Sequence, residues 1–219
     1  MRRLIDVSHE IEAGMTTYPG LPAPAVSDFL SRAASPGRYS ADTTFQIGRI
    51  EMVANTGTYV DAPFHRFAEG GDLASLPLER LADLEGLVIN ATGHSSRAID
   101  VDRFRGLALN NRAVLIRTGW DVHWRTEQYG HKAPFLTRAA AEFLVAAEVA
   151  LVGIDSVNID DMSDGQRPVH TLLLGAGIPI AEHLCNLNQL PTTGFRFHAV
   201  PVKFRGVGTF PVRAYAVIE

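Results

Sequence analysis

The amino-acid sequence predicts a sheet-rich fold of the α/β or α+β class in a single domain spanning residues 1–219, and three observations carry the prediction. Short apolar runs rich in β-branched residues recur along the chain, among them GLVI (86–89), AVLIR (113–117) and ALVGID (150–155). One clear amphipathic helical pattern lies between the last two of these runs. No repeat, low-complexity linker or shift in composition divides the chain.

Residues 45–53 (FQIGRIEMV) alternate polar and apolar side chains and read as a half-buried strand. The runs at 86–89, 113–117 and 150–155 lack alternation and read as buried strands. Thr137 is placed to cap a helix in which Ala139, Ala140, Phe143, Leu144 and Ala147 recur at helical spacing. Strand, helix and strand over 113–155 then form a βαβ-like unit. A second helix is expected to begin near Ala181 and Glu182, and residues 212–218 (VRAYAVI) read as a closing strand. Residues 16–24 and 31–40, with Pro19-Gly20 and Pro36-Gly37, are turn-rich and read as surface loops.

Composition narrows the function. Apolar residues make up 46% of the 219 and charged residues 20%, an ordinary globular balance. The chain has 20 basic and 24 acidic residues, a net charge of −4, with the basic residues scattered, which argues against a nucleic-acid partner. No apolar stretch approaches the ~20 residues needed to cross a bilayer, and no apolar segment of a secretory signal follows Arg2-Arg3. A lone cysteine, Cys185, excludes an intrachain disulfide and reads as a buried thiol. The expected setting is cytoplasmic.

The most informative stretch is NTGTYVDAPFH, residues 55–65. Gly57 allows a close backbone approach, and Pro63 ends regular pairing. Asp61 and His65 stand four residues apart on a turning chain. A carboxylate and an imidazole so placed suit a divalent cation or proton transfer. A strand-end turn capped by Asp61 would look the same in isolation.

In context the segment resembles the H-x-G-T-H-x-D-x-P-x-H signature of the cyclase family, which includes bacterial kynurenine formamidases and isatin hydrolases. Gly57, Thr58, Asp61, Pro63 and His65 match at the right spacing, whereas Asn55 and Tyr59 stand where the signature has histidines. The likeness continues through LIDVSH (4–9), LIRTGWDVHW (115–124), VGID (152–155) with Asp160 and His170, then Glu182, and GVGTFPVRA (206–214). It implies a swivelling β/β/α fold assembled as a homodimer or homotetramer. In such proteins the first two signature histidines and the aspartate bind metal. A later histidine and a glutamate twelve residues beyond it complete a second, adjacent site, and the last signature histidine moves protons. Carried over by position, Asp61, His170 and Glu182 are the candidate metal ligands and His65 is the candidate proton-transfer group; the step from 170 to 182 keeps the spacing.

A two-metal site is not expected without the two histidines. Three alternatives stay open. One divalent ion, zinc or manganese, is held by Asp61, His170 and Glu182 and assists hydrolysis of a small amide, formamide, lactam or ester. Alternatively the pocket is metal-free and binds a small ligand or uses different chemistry, with Asn55 and Tyr59 orienting it. In the third, both replacements act as weak ligands. Tyr18, Phe64, Phe67 and Trp120 are candidate aromatic walls for a small-molecule substrate, or core residues. His9, His94, His123, His131, His183 and His198 read as surface or hydrogen-bonded histidines; Asp155, Asp160 and Asp161 form an acidic cluster that could bind a cation, with helix capping and a solvated loop as the simpler reading.

Overall fold

The structure is a computed structural model that describes residues 2–40, 42–93 and 96–219. His94 lies outside the described residues. In chain order the strands are β1 (Arg3–Asp6), β2 (Ala25–Leu30), β3 (Ile47–Glu51), β4 (Tyr59–Asp61), β5 (Leu84–Asn90), β6 (Ala98–Ile99), β7 (Arg112–Arg117) and β8 (Phe135–Leu136). There follow α1 (Arg138–Ala146), β9 (Leu151–Ile154), α2 (Pro168–Gly175), β10 (Ile180–Glu182), β11 (Phe195–His198), β12 (Thr209–Pro211) and β13 (Tyr215–Ile218).

Nine strands form one sheet in the order β1-β13-β11-β5-β7-β9-β10-β4-β12. Its centre, β5-β7-β9-β10, is parallel. These strands are buried on both faces, which is why their sequences run apolar without alternation. One face packs on α1 and α2 through Ile89, Val114, Ile116, Leu144, Val152 and Leu173. The opposite face closes on a second core in which Ile5 of β1 meets Val60 of β4, although those strands lie near opposite ends of the strand order. The amide of Cys185 reaches the carbonyl of Val7 at 3.0 Å and that of Val212 the carbonyl of Thr58 at 2.9 Å. The sheet therefore curls into a half-barrel, with helices on its convex side, as the β/β/α expectation requires.

The βαβ unit forms as read. The Thr137 side chain accepts from the amide of Ala140 at 3.1 Å, a cap worth about 1 kcal/mol. Three expectations are corrected. Residues 180–182 are a buried strand, not the start of a helix: Ile180 pairs parallel with Val152 and antiparallel with Asp61, and sheet pairing outweighs local preference. The second helix lies earlier, at Pro168–Gly175. Its run of Val169, Leu172, Leu173 and Leu174 carries little amphipathic period to betray it. Within 212–218 only Tyr215–Ile218 is strand, while Thr209–Pro211 pairs with β4 at the far edge of the sheet. The strand at 45–53 shortens to β3 and is exposed along its whole length; among the described residues it pairs only with β2, as a ribbon bearing Val26, Phe29 and Ile50 at 54%, 72% and 64% exposure. Among the described residues no helix is long and apolar enough to cross a membrane.

Candidate active site

Four elements meet at the mouth of the half-barrel. β4 delivers Tyr59 and Asp61, the turn after it delivers His65, α2 delivers His170, and β10 delivers Glu182. β4 and β10 are antiparallel, with Glu182 opposite Tyr59 and Ile180 opposite Asp61, so the signature segment and the later glutamate share one edge of the cavity. Gly57 adopts φ +67°, and a Cβ there would stand 2.7 Å from Ile11, so the anticipated close approach is real.

Asp61 is fully buried. Its Oδ1 accepts from the Thr209 hydroxyl and lies 3.7 Å from Nδ1 of His65. Its Oδ2 is buried with no hydrogen-bond partner among the described residues and stands 3.7 Å from Nε2 of His170. That same Nε2 is 3.7 Å from Oε1 of Glu182. One ligand atom each from Asp61, His65 and His170 lies within 4.8 Å of the others. His65, expected to move protons, thus stands in the compact trio, and Glu182 reaches His170 from a separate side.

Each member of the cluster is oriented by a neighbour. Asp160 accepts from the amides of Val169 and His170 at 2.7 and 3.0 Å, capping α2, and bonds Nδ1 of His170 at 2.6 Å. Nε2 of His170 is thereby turned toward the two carboxylates. Glu182 accepts from the Ile159 amide at 2.6 Å and from the Tyr59 hydroxyl at 2.7 Å. The Thr209 proton goes to the Asp61 carboxylate, so its oxygen accepts from Nδ1–H of His65 at 2.8 Å. This leaves Nε2 as the unprotonated nitrogen of a neutral His65 ring.

The electrostatics are those of a site built for positive charge. Burial alone would lower the His170 pKa, but Glu182, Asp160 and Asp61 around it raise it to about 10. Burial pushes Glu182 up to about 7, against the pull of His170. Burial also opposes the charge on Asp61, yet His170, His65 and the Thr209 hydroxyl hold its pKa below the ordinary carboxylate value. Burial, then Glu182 and Asp61, push the Tyr59 phenol well above 10, so it remains a donor and not an anionic ligand.

These residues fit a cation. The orphaned Oδ2 of Asp61 is a buried acceptor without a donor, which native structures rarely leave uncompensated. Separations of 3.7 Å around Nε2 of His170 exceed a hydrogen bond. They are close to the ~3.4 Å between two atoms each bound about 2.1 Å from one tetrahedral ion, although the set whose ligand atoms all lie mutually within 4.8 Å among the described residues is Asp61, His65 and His170, without Glu182.

The cavity holds about 300 Å³ and is lined by Tyr18, Leu21, Asn55, Tyr59, His65, Arg66, Asn158, Arg167, His170 and Glu182. Of the four aromatic residues proposed as walls, Tyr18 lines it. Trp120 packs with Tyr129, Ala133 and Val157 in a neighbouring cluster, Phe67 packs against the helix-side core, and Phe64 is half-buried outside the lining. Asp160, Asn158, Thr209 and Arg167 were not singled out as site residues by sequence reasoning. The first stands ten residues before His170 and the third lies in GVGTFPVRA, so both had signals; Arg167 had none.

His183 is buried behind the cavity. With Tyr59 donating to Glu182, Nε2–H of His183 donates to the Tyr59 oxygen at 3.2 Å, and Nδ1 accepts from the Tyr129 hydroxyl at 2.9 Å. Burial, reinforced by His9, lowers its pKa to about 3. A histidine depressed in the folded chain stabilises the fold fully above its unfolded value near 6.5, and this contribution is lost as the pH falls toward 3. Wild type is therefore expected to lose on the order of 3 kcal/mol more between pH 7 and pH 4 than His183→Gln does, measured by denaturant unfolding. Identical pH slopes would refute this assignment.

The sequence profile of the cyclase family matches residues 5–161. The kynurenine formamidase of Salinibacter ruber is 27% identical over 212 residues, covering 96% of this chain and 95% of that protein. The kynurenine formamidase of Erythrobacter litoralis is 28% identical over 202 residues, covering 92% and 88%. A solved structure described as a potential metal-dependent hydrolase with cyclase activity superposes with TM-score 0.81 at 25% identity, covering 100% of this chain and 99% of the other. An isatin hydrolase bound to the product analogue thioisatinate superposes with TM-score 0.86 at 21% identity, covering 99% and 92%, and speaks to the fold. With the profile match spanning well over half of the chain and the half-barrel in common, this protein belongs to the cyclase family.

Proposed function

We propose that the protein is a metal-assisted hydrolase of a small amide, formamide, lactam or ester, with one divalent ion, zinc or manganese, held by Asp61, His170 and Glu182. The observation that carries this reading is the unpaired, buried Oδ2 of Asp61 facing Nε2 of His170, itself facing Oε1 of Glu182. The names of the relatives, kynurenine formamidase and metal-dependent hydrolase, point the same way. A divalent ion held there supplies Lewis acidity toward a carbonyl oxygen.

The chain's own residues do the rest. His65 accepts a proton from water through Nε2 and returns it to the leaving amine or alkoxide, while Thr209 fixes its tautomer. Asp160 aims His170, and Tyr59 holds Glu182. Tyr18, Asn55 and Tyr59 contact the substrate from the cavity wall. The protein works as one domain over 1–219 in the cytoplasm, as a homodimer or homotetramer; the apolar β2-β3 ribbon is the surface best suited to self-association.

The metal-free reading has one observation in its favour. A protonated His170, with its pKa near 10, already sets a positive charge between the carboxylates. Elemental analysis of the purified protein separates the two readings. About one zinc or manganese per chain is expected, with hydrolysis of N-formylkynurenine or a related aryl formamide, lactone or thioester that is lost to a chelator and restored by the ion. Folded protein without stoichiometric metal or turnover removes the hydrolase reading.

A further inference from the structure

Arg167 lines the same cavity, three residues before His170. Its backbone is left-handed, φ 48° and ψ 58°, immediately before Pro168. Such a conformation costs a non-glycine residue on the order of 1 kcal/mol and persists where the surroundings enforce it. The turn brings the loop from Asn158 into α2 so that Arg167 and His170 line the same cavity.

Arg167 is half-buried, and among the described residues no carboxylate lies within 4.0 Å of its guanidinium. The nearby Asp161 carboxylate pairs with Arg97 at 3.5 Å; the Ser163 amide and hydroxyl hold its pKa below the ordinary carboxylate value, and Arg167, at longer range, also helps to do so. Arg167 is held by three long bonds to neutral acceptors. Nη1 donates to Asn158 Oδ1 and to the Asp161 carbonyl, both at 3.3 Å, and Nη2 donates to the Tyr18 hydroxyl at 3.4 Å. Among the described residues Nε–H makes no hydrogen bond, and Nη2 makes only the long one to Tyr18. Nε–H and Nη2 together form the edge of the guanidinium that pairs with the two oxygens of a carboxylate. A half-buried cation that lines the cavity and is held only by long bonds to neutral acceptors is complementary to an anionic ligand.

We infer that the cavity takes substrates bearing a carboxylate beside the bond to be cleaved, and that Arg167 is the residue that selects them. Tyr18 and Leu21 cover the ring or chain that carries the carboxylate, and the scissile carbonyl faces His65 and His170. The inference rests on the cavity being the reaction site, as proposed above, but its test needs no turnover.

The protein as purified is titrated by calorimetry with 2-aminobenzoate and with its neutral isostere 2′-aminoacetophenone. Tighter binding of the acid is expected. Arg167→Met should weaken it about tenfold while leaving the ketone unchanged, and Arg167→Lys should fall between. Equal affinity of wild type for the two ligands would overturn the inference. So would a preference for the acid that survives in Arg167→Met, since another group would then hold the carboxylate. An equal loss for both ligands would assign Arg167 a purely structural role. If the protein hydrolyses no amide yet shows the Arg167-dependent preference, only the hydrolytic reading fails.

Discussion

Replacing Asp61 by asparagine is expected to abolish hydrolysis, with kcat/KM falling at least about a thousandfold, and to remove the bound ion while the fold survives. Asparagine has the shape of aspartate, and its carbonyl oxygen can still accept from Thr209, which keeps β12 in place. What disappears is the negative charge, together with the acceptor at the orphaned Oδ2 facing His170. An amide nitrogen there is a donor pointed at the position a cation would occupy, and several kcal/mol of ligand interaction are lost, each 1.36 kcal/mol being tenfold in rate. Metal content by elemental analysis, unfolding by denaturant and initial rates together check the prediction. Full activity in Asp61→Asn would show that the cluster is not where the chemistry occurs.

Gly208→Ala should damage both stability and rate from a position outside the cavity lining. A Cβ at 208 would stand 2.4 Å from the amide nitrogen and 2.6 Å from the Cα of His65, and 2.9 Å from the carbonyl carbon of Phe64. These are backbone atoms, so no rotamer change relieves the clash. The strand leading into Thr209 or the turn carrying His65 must move, and the 2.7 Å bond from the Ala62 amide to the Gly208 carbonyl is stretched. Overpacking of this kind costs about 1–3 kcal/mol, and a displacement near 1 Å at a proton-transfer group costs about a hundredfold in rate. Denaturant midpoints and kcat measured side by side test both effects. A variant with native stability and native kcat would mean that the turn accommodates the methyl group and that His65 is not rigidly placed.

Much of the fold was legible because local patterns and tertiary context agreed. The runs at 86–89, 113–117 and 150–155 became the central parallel strands, and Thr137 capped α1. Legibility failed where context won. Residues 180–182 look helical locally, yet pairing on both sides with β9 and β4 makes them a strand. The leucine-rich α2 has no polar face to give it period. Residues 45–53 alternate as a half-buried strand should, but β3 lies on a ribbon that is left exposed among the described residues.

For the site, the order of chemistry-bearing residues along the chain was enough to nominate Asp61, His65, His170 and Glu182, because their types and spacing follow a family pattern. Sequence could not decide what Tyr59 does in place of a histidine. That depends on β4 and β10 being antiparallel in one register, which sets the phenol 2.7 Å from Glu182 and within reach of His183. Nor could it find Arg167, whose partners at 158, 161 and 18 converge only in the folded chain. Family membership and the parallel core are written in residue order and hydrophobic pattern, which are local properties. Charge balance, proton position and cavity lining are set by distances between residues far apart in the chain, and only the closed half-barrel determines those.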